Sequence, residues 1–247
     1  MRELILIGIG TGNADHLTGQ GAQAINAADL VLVPRKGADK ADLADLRRQI
    51  LQAVLTNPAT RIEEFDLPVR DAANPDYRAG VEDWHDAIAR ARAGAAARHP
   101  QACKVALLVW GDPALYDSSL RIAGRLSPAP KISVVPGITA IHALCAAHAI
   151  ALNRIGAPFV VTTGRRLRDG GFPPGADTCV VMLDGECSFQ GLPPDGLTIW
   201  WGAYLGMPGE ILEHGPLSEA GPRILAARAE ARMRHGWIMD IYLLRKG

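Results

Sequence analysis

Short apolar runs alternate with helix-length segments along the first part of the chain, and this alternation restricts the fold more than any other feature. Residues 4–9 and 104–110 are apolar enough to form strands that are buried on both faces. Between such runs lie segments whose apolar residues have helical spacing, such as residues 41–55. Strands that alternate with helices predict a mostly parallel sheet covered on both faces, and therefore an α/β fold.

The same patterns predict the order of elements and a division into two domains. In the first part we expect strands over residues 4–9, 30–33, 61–65, 104–110 and 132–135, and helices over 19–28, 41–55, 76–98, 118–126 and 139–149. Pro34 is expected to stop the second strand. The second part has strand candidates over 159–162, 178–183, 198–204 and 237–244, one helix over 217–234, and Gly- and Pro-rich loops over 169–175 and 191–196. We therefore expect an N-terminal α/β domain over residues 1–153 and a smaller mixed α/β domain over 154–247.

Composition excludes several classes of protein. The 26 basic and 26 acidic residues cancel, which argues against a dedicated nucleic-acid binder. No apolar run is long enough to span a bilayer, so we expect a cytoplasmic protein without a membrane partner. The four cysteines have no C-x-x-C spacing, and neither a metal site nor a disulfide framework is predicted.

A glycine-rich loop, Gly8-Ile-Gly-Thr-Gly12, follows the first strand and invites comparison with dinucleotide-binding loops. Their fingerprint needs a third glycine, but Asn13 stands there, and the second strand ends in Val33-Pro34 rather than an acidic residue. The loop permits close approach of a backbone, although a plain tight turn remains open as an alternative. A nicotinamide cofactor is disfavoured.

Two further loops follow the apolar strands that end near Trp110 and Val135. Trp110-Gly-Asp-Pro-Ala-Leu-Tyr116 and Val134-Val-Pro-Gly-Ile-Thr-Ala140 each combine a rigid turn with a polar residue near a helix start. Each loop alone could be only a capped strand-to-helix turn. Together, at the carboxyl ends of strands in an open α/β sheet, they predict a crevice that is lined with backbone N–H groups and accepts a small polar ligand.

These loops resemble the signatures of the tetrapyrrole methylase family. The opening Gly8-Ile-Gly-Thr-Gly-Asn-Ala-Asp-His-Leu-Thr18, the following Ala27-Ala-Asp-Leu-Val-Leu32, the Gly-Asp-Pro segment and the Pro-Gly-Ile-Thr-Ala segment occur in the family's order. With Met207-Pro-Gly-Glu210 and Gly215-Pro-Leu217 the resemblance covers nearly the whole chain. It implies a two-domain fold, S-adenosylmethionine as the methyl donor bound between the domains, S-adenosylhomocysteine as its product, and a homodimer.

The resemblance also implies which residues bind the donor. They are Thr11, where the family often has proline, Trp110, where it often has a small residue, and Gly111, Asp112, Leu115, Thr139, Ala140, Leu183 and Asp184.

Within the family, the chain most resembles the members that methylate precorrin-5 at C-1 and release its C-20 acetyl group as acetate. Five segments carry this resemblance, namely Leu32-Val-Pro-Arg-Lys-Gly37, Val69-Arg-Asp71, Trp110-Gly-Asp-Pro-Ala-Leu-Tyr116, Met182-Leu-Asp-Gly-Glu186 and Trp201-Gly-Ala-Tyr-Leu-Gly206. Acetate release requires water to add to a carbonyl, so a general base would help, and His16 and Tyr116 are the candidates. For His16 an exposed loop histidine is the alternative, and for Tyr116 a packing residue.

A precorrin bears many carboxylate arms, which guanidinium groups can grip with two hydrogen bonds. Arg35 and Lys36 at a strand end, with Arg165 and Arg166 after Thr163-Gly164, are the candidate substrate-binding residues, unless they form solvated loop clusters. Three other functions stay open. They are methylation of a different precorrin position or of another substrate of the family, a nicotinamide-dependent oxidoreductase, and a binding module without catalysis.

Overall fold

A computed structural model describes residues 1–35, 41–70 and 76–247. It divides into two compact units, Met1–Thr139 and Ala140–Gly247. The domain boundary expected between residues 153 and 154 falls inside the second unit, because the helix after Thr139 packs on strands of that unit.

The first unit is a five-stranded parallel sheet with helices on both faces, as predicted. Its strands lie in the order β3-β2-β4-β1-β5, and every neighbouring pair is parallel. The strands are β1 (Glu3–Gly8), β2 (Leu30–Arg35), β3 (Arg61–Asp66), β4 (Lys104–Val109) and β5 (Lys131–Val135), and the helices are α1 (Gly19–Asn26), α2 (Ala41–Val54), α3 (Tyr77–Ala97) and α4 (Ser119–Ala123).

Burial on both faces explains the unbroken apolar sequence of β1. Leu4 and Leu6 point into the core beneath α3 and α4, whereas Ile5 and Ile7 point into the core beneath α1 and α2. Since successive side chains of a strand alternate between faces, both sets must be apolar when helices cover both sides.

The expectation that Pro34 stops the second strand is wrong. β2 continues to Arg35, although its pairing with β4 ends at Leu32 and only the pairing with β3 goes on. One edge of the strand is therefore free where Pro34 lies, and the missing amide hydrogen costs no ladder hydrogen bond.

The second unit contains a five-stranded mixed sheet in the order β6-β7-β10-β8-β9, in which only β6 and β7 are parallel. Trp201, Tyr242 and Phe189 fill its core. The strands are β6 (Phe159–Thr163), β7 (Thr178–Met182), β8 (Leu197–Ala203), β9 (Ile211–Pro216) and β10 (Asp240–Lys246), and the helices are α5 (Ala140–Ala147), α6 (Gly164–Gly170) and α7 (Leu217–His235).

Two of these elements were not predicted from the sequence. The α6 segment, Gly-Arg-Arg-Leu-Arg-Asp-Gly, has a single large apolar residue, Leu167, and begins at a cap in which the Thr163 hydroxyl accepts from the Arg166 amide. β9 is an edge strand with alternating half-buried and exposed residues, and its Glu, His, Gly and Pro hide the strand signal. Over the described ranges, no helix combines the length and the apolar character that a bilayer crossing needs.

Candidate functional site

Three glycines pack together where the loops after β1, β4 and β5 begin. Because β1 lies between β4 and β5 in the sheet, these three loops are neighbours. A Cβ atom on Gly137 would lie 2.1 Å from the Gly111 carbonyl oxygen, and one on Gly8 would lie 2.6 Å from the Gly137 nitrogen. The obstructing atoms are all backbone, so no side chain fits at Gly8 or Gly137. We call Gly8, Gly111 and Gly137 the glycine cluster.

Hydrogen bonds between the loops hold the glycine cluster together. Gly10 and Gly111 form an antiparallel bridge in which each amide donates to the other carbonyl, at 3.3 and 2.8 Å. The Asp112 carboxylate accepts from the Gly137 amide at 2.8 Å and from the Ala114 amide at 2.8 Å. The amides of Gly10, Gly111 and Gly137 thus bind the loops to one another. The sequence predicts a crevice lined with backbone N–H groups, but these three amides are already hydrogen-bonded between the loops.

Thr11 and His16 form a pair beside this cluster. The buried Thr11 hydroxyl lies 2.8 Å from Nδ1 of His16. The loop also folds so closely that a Cβ on Gly10 would lie 2.4 Å from Cβ of His16. His16 is therefore half-buried in a fixed position in the loop rather than an exposed loop histidine.

The other candidate donor-binding and catalytic residues of the first unit lie close to the glycine cluster in sequence, and their side chains differ in exposure. Trp110 is half-buried and packs against the core beneath α1 and α2, which explains how a large side chain is accommodated before Gly111. Leu115 is half-buried, and Tyr116 is 45% exposed at a positive φ of 49°. Such a backbone conformation is costly for a bulky residue and is often found at functional sites. Thr139 is the last residue of this unit.

In the second unit, Leu183 and Asp184 form the turn after β7, and Ala140 begins α5. Leu183 is 67% exposed and adopts a φ of 55°. The Asp184 carboxylate accepts hydrogen bonds from the Tyr242 hydroxyl at 2.6 Å and from the Ser188 amide at 2.6 Å and hydroxyl at 2.9 Å. Burial alone would raise the pKa of Asp184, but these hydrogen bonds outweigh burial and lower it. The Asp184 side chain is therefore occupied inside the unit.

A buried ion pair supports this turn, and the sequence did not reveal its role. Arg228 donates from Nε to the Asp240 carboxylate at 2.8 Å and from Nη2 to the Asp184 carbonyl oxygen at 3.1 Å. Trp201 donates from Nε1 to the same carboxylate at 3.0 Å. Asp240 lies on β10, which has neighbouring strands on both sides and is therefore an interior strand.

The candidate substrate-binding cations differ in their positions and in the contacts that they make. Arg35 pairs with Asp66 at 3.0 Å and with Glu64 at 3.6 Å, so its guanidinium is already engaged. Lys36 lies outside the described residues. Arg165 and Arg166 are exposed and lie in the first turn of α6, whereas the alternative interpretation placed them in a loop.

Comparison with known proteins agrees with the fold and with the loops described above. The model of the family described as tetrapyrrole (corrin/porphyrin) methylases matches residues 3–221. The chain is 46% identical over 252 aligned positions to a precorrin-6A synthase [deacetylating] of Sinorhizobium sp., covering 100% of this chain and 96% of the relative.

Solved structures give the same result. The crystal structure of a cobalamin synthesis related protein (CobF) from Corynebacterium diphtheriae has a TM-score of 0.83 and 36% identity, over 100% of this chain and 99% of that one. A uroporphyrin-III C-methyltransferase from Thermus thermophilus, solved with S-adenosylhomocysteine, has a TM-score of 0.59 and 19% identity, over 98% and 97% of the two chains. This second likeness is one of fold.

Proposed function

The chain belongs to the tetrapyrrole (corrin/porphyrin) methylase family, and we propose that it methylates precorrin-5 at C-1 and releases the C-20 acetyl group as acetate, giving precorrin-6A. The observation that carries this proposal is the 46% identity to a precorrin-6A synthase [deacetylating] across the whole chain. The methyl donor is S-adenosylmethionine, which leaves as S-adenosylhomocysteine. A relative of the same fold was solved with S-adenosylhomocysteine, which supports this donor.

The residues of both units suit such a donor. Thr11, Trp110, Gly111, Asp112, Leu115 and Thr139 of the first unit, and Ala140, Leu183 and Asp184 of the second, are the proposed donor-binding residues. A Cβ on Gly111 would meet no atom within 4 Å, so that side of the residue is open for a ligand. The exposed Leu183 offers an apolar contact. The carboxylates of Asp112 and Asp184 are already hydrogen-bonded, so we propose that these two residues contact the donor through their backbone.

Methyl transfer requires few catalytic side chains. The bond between the sulfonium and the methyl carbon breaks as the ring carbon supplies an electron pair to the methyl group. Positioning the two reactants in line can account for ~7–11 kcal/mol of the barrier in well-oriented systems. The backbone of the glycine cluster is suited to positioning, because the loops pack so closely that a Cβ on Gly8 or Gly137 would overlap backbone atoms.

Acetate release needs a water molecule to add to the acetyl carbonyl. We propose His16 as the general base and Tyr116 as a second group that touches the substrate. The pairing with Thr11 fixes the orientation of the His16 ring, which a base requires. Tyr116 exposes its side chain from a constrained backbone. Arg165 and Arg166, which are exposed at the surface, are proposed to bind carboxylate arms, and so is Arg35, whose guanidinium also pairs with Asp66.

The proposal includes a cytoplasmic homodimer with a small-molecule tetrapyrrole substrate. The four cysteines are free thiols, which suits a reducing compartment. Methylation of another precorrin position is the second candidate, because it would use the same fold and the same donor.

The decisive experiment incubates the protein with precorrin-5 and methyl-labelled S-adenosylmethionine and measures labelled product and free acetate. We expect equal amounts of transferred label and acetate. Label transfer without acetate would leave a methyltransferase of a different position, and no transfer of label would reject the proposal.

A further inference from the structure

A buried arginine of the first unit lacks the partners that such a group normally has. Arg92, on α3, is 7% exposed, and its Nη2 lies 3.4 Å from the Ser119 hydroxyl. Among the described residues, Nε and Nη1 of Arg92 have no hydrogen-bond partner. Buried polar atoms are almost always hydrogen-bonded, so an unpartnered guanidinium requires an explanation.

A second arginine, Arg47 on α2, approaches from the other face of the sheet and donates from Nε to the Leu108 carbonyl oxygen at 3.2 Å. The carbonyl of Val109 accepts from Ile9 on the β1 side, so that of Leu108 points toward β2. Because β2 leaves β4 after Leu32, the Leu108 carbonyl has no strand partner there, and Arg47 takes its place.

This place is a topological switch point of the sheet. The chain leaves β2 toward α2 on one face and leaves β4 toward α4 on the other, as the separate cores beneath these helices show. Neighbouring strands whose connections diverge in this way leave a crevice at their carboxyl ends, where ligands of open α/β sheets bind.

An acidic residue lies close to both arginines. The negative charge of Asp117, in the loop after β4, acts to raise the pKa of both Arg47 and Arg92. Its carboxylate also accepts a hydrogen bond from the Ser119 amide at 2.6 Å. Burial lowers the pKa of Arg92 to about 10, with Asp117 opposing and Arg47 adding to the change. Arg92 therefore remains protonated at neutral pH, as a buried cation whose Nε and Nη1 have no acceptor among the described residues.

We infer that Arg92 and Arg47 form a carboxylate-binding site, here called the arginine subsite, at the carboxyl ends of β2 and β4. This inference rests on the proposed function, since the occupant of the arginine subsite is one carboxylate arm of the tetrapyrrole substrate. A carboxylate supplies the hydrogen-bond acceptors that the planar guanidinium of Arg92 lacks. Free acetate has the same chemistry, so the experiments must separate an arm of the macrocycle from a free ion.

The first experiment measures binding without turnover. Thermal unfolding is followed in sodium acetate or propionate and in sodium chloride at equal ionic strength and pH. We expect carboxylate to raise the midpoint of the wild type more than that of Arg92→Met, because the general stabilisation by these anions acts on both proteins and only the excess reports binding. Arg90→Met is the matched control, because Arg90 is exposed on the same helix, and it should behave as the wild type does. An equal effect of carboxylate on the midpoints of the wild type and Arg92→Met would overturn the arginine subsite.

The second experiment measures steady-state kinetics of Arg92→Met, Arg92→Lys and Arg47→Met. We expect KM for the macrocycle to rise about tenfold or more in both methionine variants, since a charge-assisted hydrogen bond is lost. Affinity for S-adenosylmethionine should not change, and Arg92→Lys should lie between Arg92→Met and the wild type. Should Arg92→Met fail to fold, Arg47→Met provides the same test.

The two experiments distinguish this inference from the proposed function. A carboxylate effect that depends on Arg92, in a protein that does not methylate precorrin-5, would reject the function and keep the anion-binding site. Normal turnover with unchanged KM in both methionine variants would support the proposed function, but it would show that no carboxylate arm of the substrate occupies the arginine subsite. In that case a carboxylate effect on unfolding would mean that only a free ion binds.

Discussion

The hydroxyl of Thr11 and Nδ1 of His16 are hydrogen-bonded at 2.8 Å, between two residues of a single loop beside the glycine cluster. A histidine that takes a proton through Nε2 must carry its hydrogen on Nδ1, and in that tautomer Nδ1 donates to the Thr11 oxygen. The loop therefore supplies the acceptor that a catalytic tautomer of His16 needs.

We expect Thr11→Val to slow acetate release more than methyl transfer. Valine keeps the shape of the buried side chain but removes the acceptor, so the tautomer and orientation of His16 are no longer fixed. Acetate release should fall about tenfold, a part of the 10²–10⁴ that a general base contributes. Labelled methyl and free acetate are measured in the same reaction. Thr11→Ser is the control, since it retains the hydroxyl, and an equal loss of both activities in Thr11→Val would contradict the role of the pair.

The glycine cluster leads to a second prediction. Gly137→Ala would place a Cβ 2.1 Å from the Gly111 carbonyl oxygen, and neither backbone can move away freely. We expect a loss of about 1–3 kcal/mol or more in the free energy of unfolding, which urea denaturation measures. Affinity for S-adenosylmethionine, measured by calorimetry where the variant is folded, should fall as well.

Gly94→Ala is the control for this substitution. Gly94 is exposed on α3 and a Cβ there would meet no atom within 4 Å, so alanine should raise stability by up to about 1 kcal/mol through helix propensity. If the two variants were equally stable, the glycine cluster would not be as tightly packed as the distances indicate.

Elements with a strong local signal could be predicted from the sequence. The central strands β1, β2 and β4 of the first unit follow from apolar runs that are buried on both faces, and the loops at their ends follow from the strand boundaries. α6 and β9 lacked such a signal, because one is short and charged and the other is a polar edge strand.

The pairing of charged residues could not be predicted, because it depends on contacts between residues distant in sequence. Arg35 was a candidate ligand for substrate, but it meets Asp66 on the neighbouring strand. Arg92 was not singled out in a helix rich in alanine and arginine, and only its burial and its missing partners distinguish it from the exposed Arg90. Sequence patterns report local periodicity, whereas these contacts are set by packing.

His85 gives a prediction about pH. It is 4% exposed on α3, and burial, followed by the nearby Arg125, lowers its pKa. Glu82 and Asp86 act in the opposite direction, and Arg121 acts with burial. The unfolded chain therefore binds a proton at this residue more readily than the folded chain does. Its contribution to stability is complete above the unfolded pKa of about 6.5 and is lost as pH falls below it.

We expect His85→Leu to weaken the dependence of stability on pH in this acidic range. Urea denaturation of both proteins at a series of pH values gives the difference between their free energies of unfolding. His148, whose pKa burial also lowers, leaves a pH dependence in the variant, so the difference between the two proteins is the quantity that matters. A difference that does not change with pH would show that His85 titrates alike in the folded and unfolded chains.

The ion pair of Arg228 and Asp240 gives the last prediction. Their side chains are only 10% and 11% exposed, so removal of one partner leaves the other charged and poorly solvated. We expect Arg228→Met to cost about 3–5 kcal/mol of stability. The double variant Arg228→Met, Asp240→Leu should lose less than the sum of the two single variants, which a double-mutant cycle in urea measures. Arg232→Met, at an exposed position one turn further along α7, should be near neutral.

The same variant tests whether the ion pair positions the turn after β7. Arg228 also donates to the Asp184 carbonyl oxygen, so its removal should free the backbone of Leu183 and Asp184 and weaken binding of S-adenosylmethionine. Arg228→Lys keeps the positive charge but cannot reach both Asp240 and Asp184 with the geometry of a guanidinium, and should weaken binding to a smaller extent. Calorimetric titration at a temperature where all variants are folded separates this effect from stability. If Arg228→Met were destabilised but bound S-adenosylmethionine as the wild type does, the ion pair would stabilise the unit without positioning the turn.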